Sequence, residues 1–300
     1  MQKVIVAVVQ AGSFVFDTSR TMERLKRHCE EAADQGARLV VFPEAFLGGY
    51  PKGIDFGARI GSRSLEGRDD FRRYWEAAIE IPGTEISKLG DIAARYHVNL
   101  VSGLIERAGG TLYCSVVFVA PDGRLQGKHR KLMPTASERL VWGCGDGSTM
   151  PTVKTDFGIL GAAICWENYM PLFRTAMYGK GVNIWCAPTV DDRDSWQSTM
   201  RHVALEGRCF VLSACQYLLR SQCPENYYPI QGGSPETVLI KGGSVIISPL
   251  GEVLAGPLRD AEGLLTAEVD MDDVVRGKFD LDVVGHYARP DVFRLSVRRD

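Results

Sequence analysis

The chain has 300 residues, a length that fits either two average domains or one large α/β domain. Its 35 Lys and Arg against 37 Asp and Glu leave a net charge of −2, which argues against nucleic-acid binding through bulk positive charge, and 45% apolar with 24% charged residues is the balance of an ordinary globular chain. No apolar run approaches the roughly 18 residues of a membrane helix, the apolar run near the N-terminus is too short for a signal peptide, and the eight cysteines form no C-x-x-C pair, so a reduced, cytoplasmic chain without a metal cluster is expected.

Val4 to Val9 (VIVAVV) is a continuous apolar run, as in a strand buried on both faces. Thr18 to Asp34 carries Met22, Leu25, Cys29, Ala32 and Ala33 at helical spacing, with Gly36 where a helix stops. Arg38 to Phe42 is a second strand, ended by Pro43. Ile86 to Tyr96 reads as helix and Val98 to Ile105 as strand, paired across Gly109-Gly110 with Thr111 to Ala120. Leu125 to His129 is a short strand running into Arg130-Lys131. Gly158 to Ile164 reads as a buried strand, Pro171 to Tyr178 as helix, Val182 to Ala187 as strand, Trp196 to Glu206 as helix and Phe210 to Cys215 as strand. Strands at Gly243 to Ser248, Glu252 to Ala255 and Gly263 to Val269 follow, then a short helix near Met271 to Lys278. Strands alternating with helices, with hairpins midway and late, predict an α/β domain with mixed sheets over residues 1–300. The stretches 44–70 and 217–240 read as long, functional loops without regular structure.

Chemistry starts from Cys165, at the end of the apolar run Gly161-Ala-Ala-Ile164. Strand ends are where α/β folds place reactive groups, and amides of a turn there lower a thiol pKa. A buried core cysteine is the ordinary alternative, and it is the reading for Cys29, Cys114, Cys186, Cys209 and Cys215; Cys144 and Cys223 fall in loops. None of the five histidines sits in a motif that marks it as the thiol's base. Glu44 follows the strand VVFP, and Lys131 follows the short strand before it; each, taken alone, is more often a solvated surface charge.

Taken together these residues resemble the nitrilase branch of the carbon–nitrogen hydrolase superfamily, over essentially the whole chain. The resemblance is carried by VVFPEAFLGGYPKG around Glu44, KHRKLMPTASERLVWGCGDGS around Lys131, GAAICWENYMPLFR around Cys165 and VGHYARPD near the end. NIWCAPTVDDRDSWQ and HVALEGRCFVLSACQ look like plant nitrilases and their bacterial relatives. Four long motifs in one order leave little room for chance. The resemblance implies a four-layer αββα sandwich that pairs into an αββααββα homodimer or a higher homo-oligomer. It also implies a Glu44–Lys131–Cys165 active site with Glu138 as fourth member; by local pattern alone Glu138 reads as a surface charge starting a helix, capped by Ser137 or Thr135.

The activity implied is hydrolysis of a small-molecule nitrile to acid and ammonia, with Cys165 as nucleophile, Glu44 as base, Lys131 stabilising the anion and no cofactor or metal. Tyr50, Trp142, Trp166 and Tyr169 are candidate pocket walls, with Pro188 and Thr189 on the same rim. An amidase or carbamoyl-amide hydrolase using the same residues is the competing activity. A non-catalytic assembly subunit of the same fold is disfavoured by the presence of all four site residues.

Overall fold

The computed structural model describes residues 3–298. Its first half runs β1 (Lys3–Gln10), α1 (Thr18–Asp34), β2 (Ala37–Val41), a ribbon of β3 (Ala58–Arg59) and β4 (Ser62–Arg63), α2 (Leu65–Ala77), α3 (Thr84–Tyr96), β5 (Asn99–Ala108), β6 (Thr111–Val119) and β7 (Leu125–Arg130). The second half runs β8 (Val153–Lys154), β9 (Ile159–Ala162), α4 (Pro171–Tyr178), β10 (Ile184–Thr189), α5 (Asp194–Gly207), β11 (Phe210–Cys215) and β12 (Tyr217–Leu219). It closes with β13 (Val238–Ile247), β14 (Val253–Arg259), β15 (Gly263–Asp270) and α6 (Asp272–Gly277).

Two mixed sheets result. One has the order β15-β1-β2-β5-β6-β7, and the other β12-β13-β11-β10-β9-β8 with β14 beside β13. The strands are apolar on both faces because both faces are covered. On β1, Val4, Val6 and Val8 face the opposing sheet, where Ile184, Cys186, Phe210, Leu212 and Ile246 meet them. The alternate residues Ala7 and Val9 pack against Met22 and Leu25 of α1 and Leu89 and Ile92 of α3. The second sheet repeats the arrangement, with Trp185, Ala187 and Val211 turned toward Met177 of α4 and Met200 and Val203 of α5. Period-two alternation thus sorts each strand between an inter-sheet core and a helix-covered outer face, which is the αββα sandwich.

Local signals mostly act as read. The side chain of Asp17 accepts the N–H of Arg20 at the start of α1, and Gly36, at φ +79°, leaves its end in the left-handed region that favours glycine. β5 and β6 pair antiparallel from Ala108–Thr111 outward. Three readings change. The stretch expected as loop from 44 to 70 contains the ribbon β3–β4 and the start of α2, which Ser64 caps by accepting the N–H of Gly67 at 2.9 Å. α2 buries only Gly67, Tyr74 and Ala77, too few residues to leave an apolar stripe in its sequence. In the stretch 217–240, β12 pairs with β13, which begins at Val238 rather than at Gly243. Gly242 and Gly243 both have positive φ and the register slips there, so a sequence that reads as a strand's start is an irregularity inside one strand.

Candidate active site

Four side chains are delivered by the C-terminal ends of four strands. Glu44 follows β2, Lys131 follows β7 directly, Cys165 follows β9, and Thr189 is the last residue of β10. The first two come from one sheet and the last two from the other, so the site forms where the sheets abut. The Glu44 segment lies hard against β5: Phe46 N–H donates to the Gly103 carbonyl at 3.1 Å. A Cβ at Gly103 would sit 2.3 Å from the Pro43 carbonyl oxygen and 2.7 Å from Glu44 Cα, so only glycine permits this approach. From the second sheet's side, Gln216 Nε2 donates to the Glu44 carbonyl at 2.8 Å.

The charges form one buried chain. Lys131 Nζ donates to Glu44 Oε1 at 2.7 Å and to Glu138 Oε2 at 2.8 Å, and neither Lys131 nor Glu44 has any solvent-exposed side-chain area. Glu138 is held in turn by Tyr50, whose hydroxyl donates to Oε1 at 2.8 Å, and by the N–H of Thr135 at 2.6 Å. The surface charge expected at Glu138 is therefore turned inward. The 3₁₀ turn Ala136–Leu140 starts after Thr135 as the pattern suggested, but its acid points at an ammonium instead of water. Burial pushes the Glu44 carboxyl above its ordinary range, with Lys131 opposing the shift and Glu138 adding to it. Burial works against the Lys131 charge, yet Glu44 and its other anionic neighbours hold its pKa well above the usual lysine value.

Cys165 opens a 3₁₀ turn at φ +50°, a strained conformation for a side chain with a Cβ, and accepts a hydrogen bond at sulfur from Thr189 Oγ1 at 3.1 Å. Its carbonyl is fixed by Asn168 Nδ2 at 2.8 Å, whose Oδ1 accepts from Trp185 Nε1. The expected depression of the thiol pKa is absent. Burial pushes it far up, Glu44 pushes the same way, and Lys131 and the Thr189 hydroxyl pull it down without prevailing. The resting sulfur is a protonated thiol. Glu44 and Cys165 are near enough for the carboxylate to push the thiol's pKa up, and Glu44 Oε2 is buried with no hydrogen-bond partner among the described residues.

The other candidate positions divide. A recess of about 190 Å³ reaches Cys165 between Tyr50, Glu138, Trp166, Asp191 and Arg193, and a wider vestibule of about 680 Å³ shares Tyr50, Lys52 and Glu138 with it. Trp142 is buried beneath the vestibule, its ring 5.6 Å from the Lys131 ammonium and its Nε1 donating to the Tyr74 hydroxyl. Trp166 is 42% exposed and donates through Nε1 to Asp191 at 2.9 Å. Tyr169 meets Trp166 and Trp196 edge-on, and Pro188 is buried in β10 beside Ala214; neither lines the two recesses. Three contributors carry no sequence signal. Cys114 sits inside an apolar strand, yet its Sγ contacts Glu44 Oε1 at 3.6 Å; Lys52 and Arg193 lie in loops at the recess mouth.

Residues 5–279 match the carbon–nitrogen hydrolase family model. The chain belongs to the nitrilase branch of that family. It is 57% identical to an aliphatic nitrilase of Sinorhizobium fredii (strain HH103), covering 99% of this chain and 96% of that one. It is 55% identical to a bifunctional nitrilase/nitrile hydratase of Lupinus angustifolius, covering 97% and 85%. In fold it resembles the crystal structure of Saccharomyces cerevisiae Nit3, with a TM-score of 0.73 at 21% identity over 95% of this chain and 97% of that one. A hydrolase of carbon–nitrogen bonds with the αββα sandwich of its family is what these likenesses establish. Among the described residues no helix is long and apolar enough to cross a membrane, and no cluster of His, Cys, Asp and Glu is arranged to hold a metal ion.

Proposed function

We propose that the chain is one catalytic domain, residues 1–300, which hydrolyses organic nitriles to carboxylic acid and ammonia through a covalent intermediate on Cys165. The observation that carries this reading is a buried thiol beside a fixed carboxylate–ammonium–carboxylate chain that acts on it electrostatically. Glu44, its pKa raised by burial, takes the Cys165 proton as sulfur bonds the nitrile carbon, and returns it to the nitrile nitrogen, giving a thioimidate. Lys131, locked in its charged form, faces the negative charge that develops on nitrogen, and the Trp166 amide is the second donor. Water loses a proton to Glu44 and adds to the same carbon. That proton passes to nitrogen, giving an amino group; the added hydroxyl then yields its own proton to the same nitrogen as the C–N bond breaks, so that ammonia departs and a thioester remains. A second water, activated in the same way, releases the acid and restores the thiol. Breaking the C–S bond before ammonia leaves gives an amide instead.

Glu138 acts by holding Lys131 between two anions, and Tyr50 by holding Glu138. Trp166 and Tyr50 wall the recess above the sulfur, with Trp142 behind the ammonium. No cofactor enters any step. The working form in this reading is a homodimer or higher homo-oligomer with two sandwiches back to back.

Ammonia release from phenylacetonitrile, phenylpropionitrile, fumaronitrile and β-cyanoalanine, each set beside its amide, tests the reading. Release from a nitrile but not its amide, abolished in a folded Cys165→Ala variant, is the expected result. Release from amides alone makes the enzyme an amidase, and a Cys165→Ala variant with near-normal turnover removes the nucleophile assignment altogether.

A further inference from the structure

Behind the reacting groups lies a second buried ion pair that the chemistry above leaves unused. The Glu167 side chain has no exposed area and that of His129 only 1%. Glu167 Oε1 accepts the backbone N–H of Leu132 at 2.7 Å, and Oε2 accepts that of Ile164 at 2.7 Å. Leu132 is the residue after Lys131, and Ile164 the residue before Cys165. His129 Nε2 completes the set, 3.0 Å from both carboxylate oxygens. Its Nδ1 meets the carbonyl oxygen of Thr149, and its ring lies 5.4 Å from that of Phe173. A carbonyl oxygen only accepts, so Nδ1 carries a proton; both Glu167 oxygens already accept amides, so Nε2 carries one as well. Two donating nitrogens make His129 an imidazolium.

We propose that Glu167 and His129 are positioning residues: one carboxylate ties the amide beside Lys131 to the amide beside Cys165, and the imidazolium cancels its charge. The proposal rests on Cys165 being the nucleophile. Lys131 belongs to the first sheet and Cys165 to the second, so their separation depends on what bridges the strand ends. Glu167 is that bridge, bonding across from the turn after β9 to the residue following Lys131. Its charge must be offset, because an uncompensated anion two residues from the sulfur opposes thiolate formation as Glu44 and Glu138 already do. The charged groups facing Cys165 are Glu44, Glu138, Lys131 and Arg193; those facing His129 are Glu167 and Lys180.

Glu167→Gln, Glu167→Asp and His129→Gln, beside wild type and Cys165→Ala, test this by nitrile kinetics, by alkylation of Cys165 with iodoacetamide across pH, and by thermal melting. A glutamine presents an N–H₂ where one backbone amide needs an acceptor. Glu167→Gln is expected to lower kcat by about 10²-fold with KM little changed, the signature of a displaced reacting pair. Glu167→Asp keeps both acceptor oxygens and recovers part of that loss. His129→Gln leaves the carboxylate unbalanced and moves the alkylation midpoint to higher pH. A lowered melting temperature with kcat and alkylation profile unchanged makes the pair purely structural and overturns the proposal. If Glu167→Gln does not fold, Glu167→Asp and His129→Gln are read by the same criteria. An active Cys165→Ala variant sinks the nucleophile reading itself, whereas an inactive one beside kinetically normal Glu167 and His129 variants sinks only the positioning.

Discussion

Replacing Lys131 with methionine separates two consequences of one buried charge. The ammonium sits 2.7 Å from Glu44 and 2.8 Å from Glu138, fully out of water. For catalysis the loss of one fixed donor at the developing anion costs on the order of 10²–10³ in kcat. For stability the effect runs through protons. Burial already raises the Glu44 pKa and Lys131 is the main influence holding it down, so with methionine at 131 the carboxyl rises further and keeps its proton to higher pH in the folded state. An unfolded glutamate ionises near pH 4.3, so above that the folded variant holds about one proton more than the unfolded chain. More protons bound when folded means stability falls as pH rises, by up to about 1.4 kcal/mol per pH unit, until the folded carboxyl ionises. Urea unfolding at pH 5, 6 and 7 reads this slope directly. The variant is expected to lose stability over that interval more steeply than wild type, and a Glu44→Gln/Lys131→Met double variant, lacking the titrating group, is expected to flatten it. Equal slopes for wild type and Lys131→Met would refute the coupling of Glu44 to Lys131 on which the site is built.

Three shorter tests address other parts of the site. Because burial lifts the Glu44 carboxyl and a protonated carboxyl cannot take the thiol proton, the acid limb of kcat/KM is expected above pH 4.5, with activity lost below it; a limb at or below that value would assign the base to another group. Thr189→Val removes the hydroxyl that donates to Cys165 sulfur at 3.1 Å, a loss of about 1 kcal/mol that should slow alkylation of Cys165 about fivefold, and an unchanged rate would mean the contact does not tune the thiol. Gly103→Ala places a methyl 2.3 Å from a backbone oxygen that cannot rotate aside, so kcat is expected to fall by about 10²-fold as Glu44 is displaced, with a cost in stability of about 1–3 kcal/mol. Wild-type kinetics in that variant would show that the Glu44 segment relocates freely.

What could be read from the chain follows from how each element buries its residues. β1, β10 and β11 are covered on both faces, so VIVAVV and its counterparts stand out as unbroken apolar runs. α1 and α3 bury one face each and keep a clear stripe. α2 fully buries only Gly67, Tyr74 and Ala77 and its polar residues break up any stripe, so its sequence passes for loop. In the site, Glu44, Lys131 and Cys165 each follow a strand, a weak signal one at a time, and are legible as a set through the family resemblance of the motifs around them. Glu138 is hidden by the opposite logic: a capped turn predicts an exposed acid, and only the buried ammonium of Lys131 draws it inward. Glu167 and His129 lie 38 residues apart on elements of different sheets, and no local pattern links an acid after a cysteine to a histidine in a basic run.

The protonated state of Cys165 decides how the rest of the site must work. Turn amides and a nearby ammonium were expected to favour a thiolate, yet desolvation outweighs them, because Cys165 is 4% exposed and the Glu44 and Glu138 carboxylates add to the shift. A thiolate placed there would add an anion beside Glu44 and Glu138, whose charge the buried Lys131 already serves to balance. Under the proposed chemistry, attack on the nitrile therefore cannot precede proton transfer; the S–C bond and the S–H proton must move together, with Glu44 receiving the proton as charge passes to nitrogen. This gives Lys131 its use. In the resting site its charge is absorbed by two carboxylates, and protonation of Glu44 frees it to face the nitrogen at the moment negative charge arrives. The charge balance of the cavity then stays constant through the step, which is the condition for running an ionic reaction among buried groups.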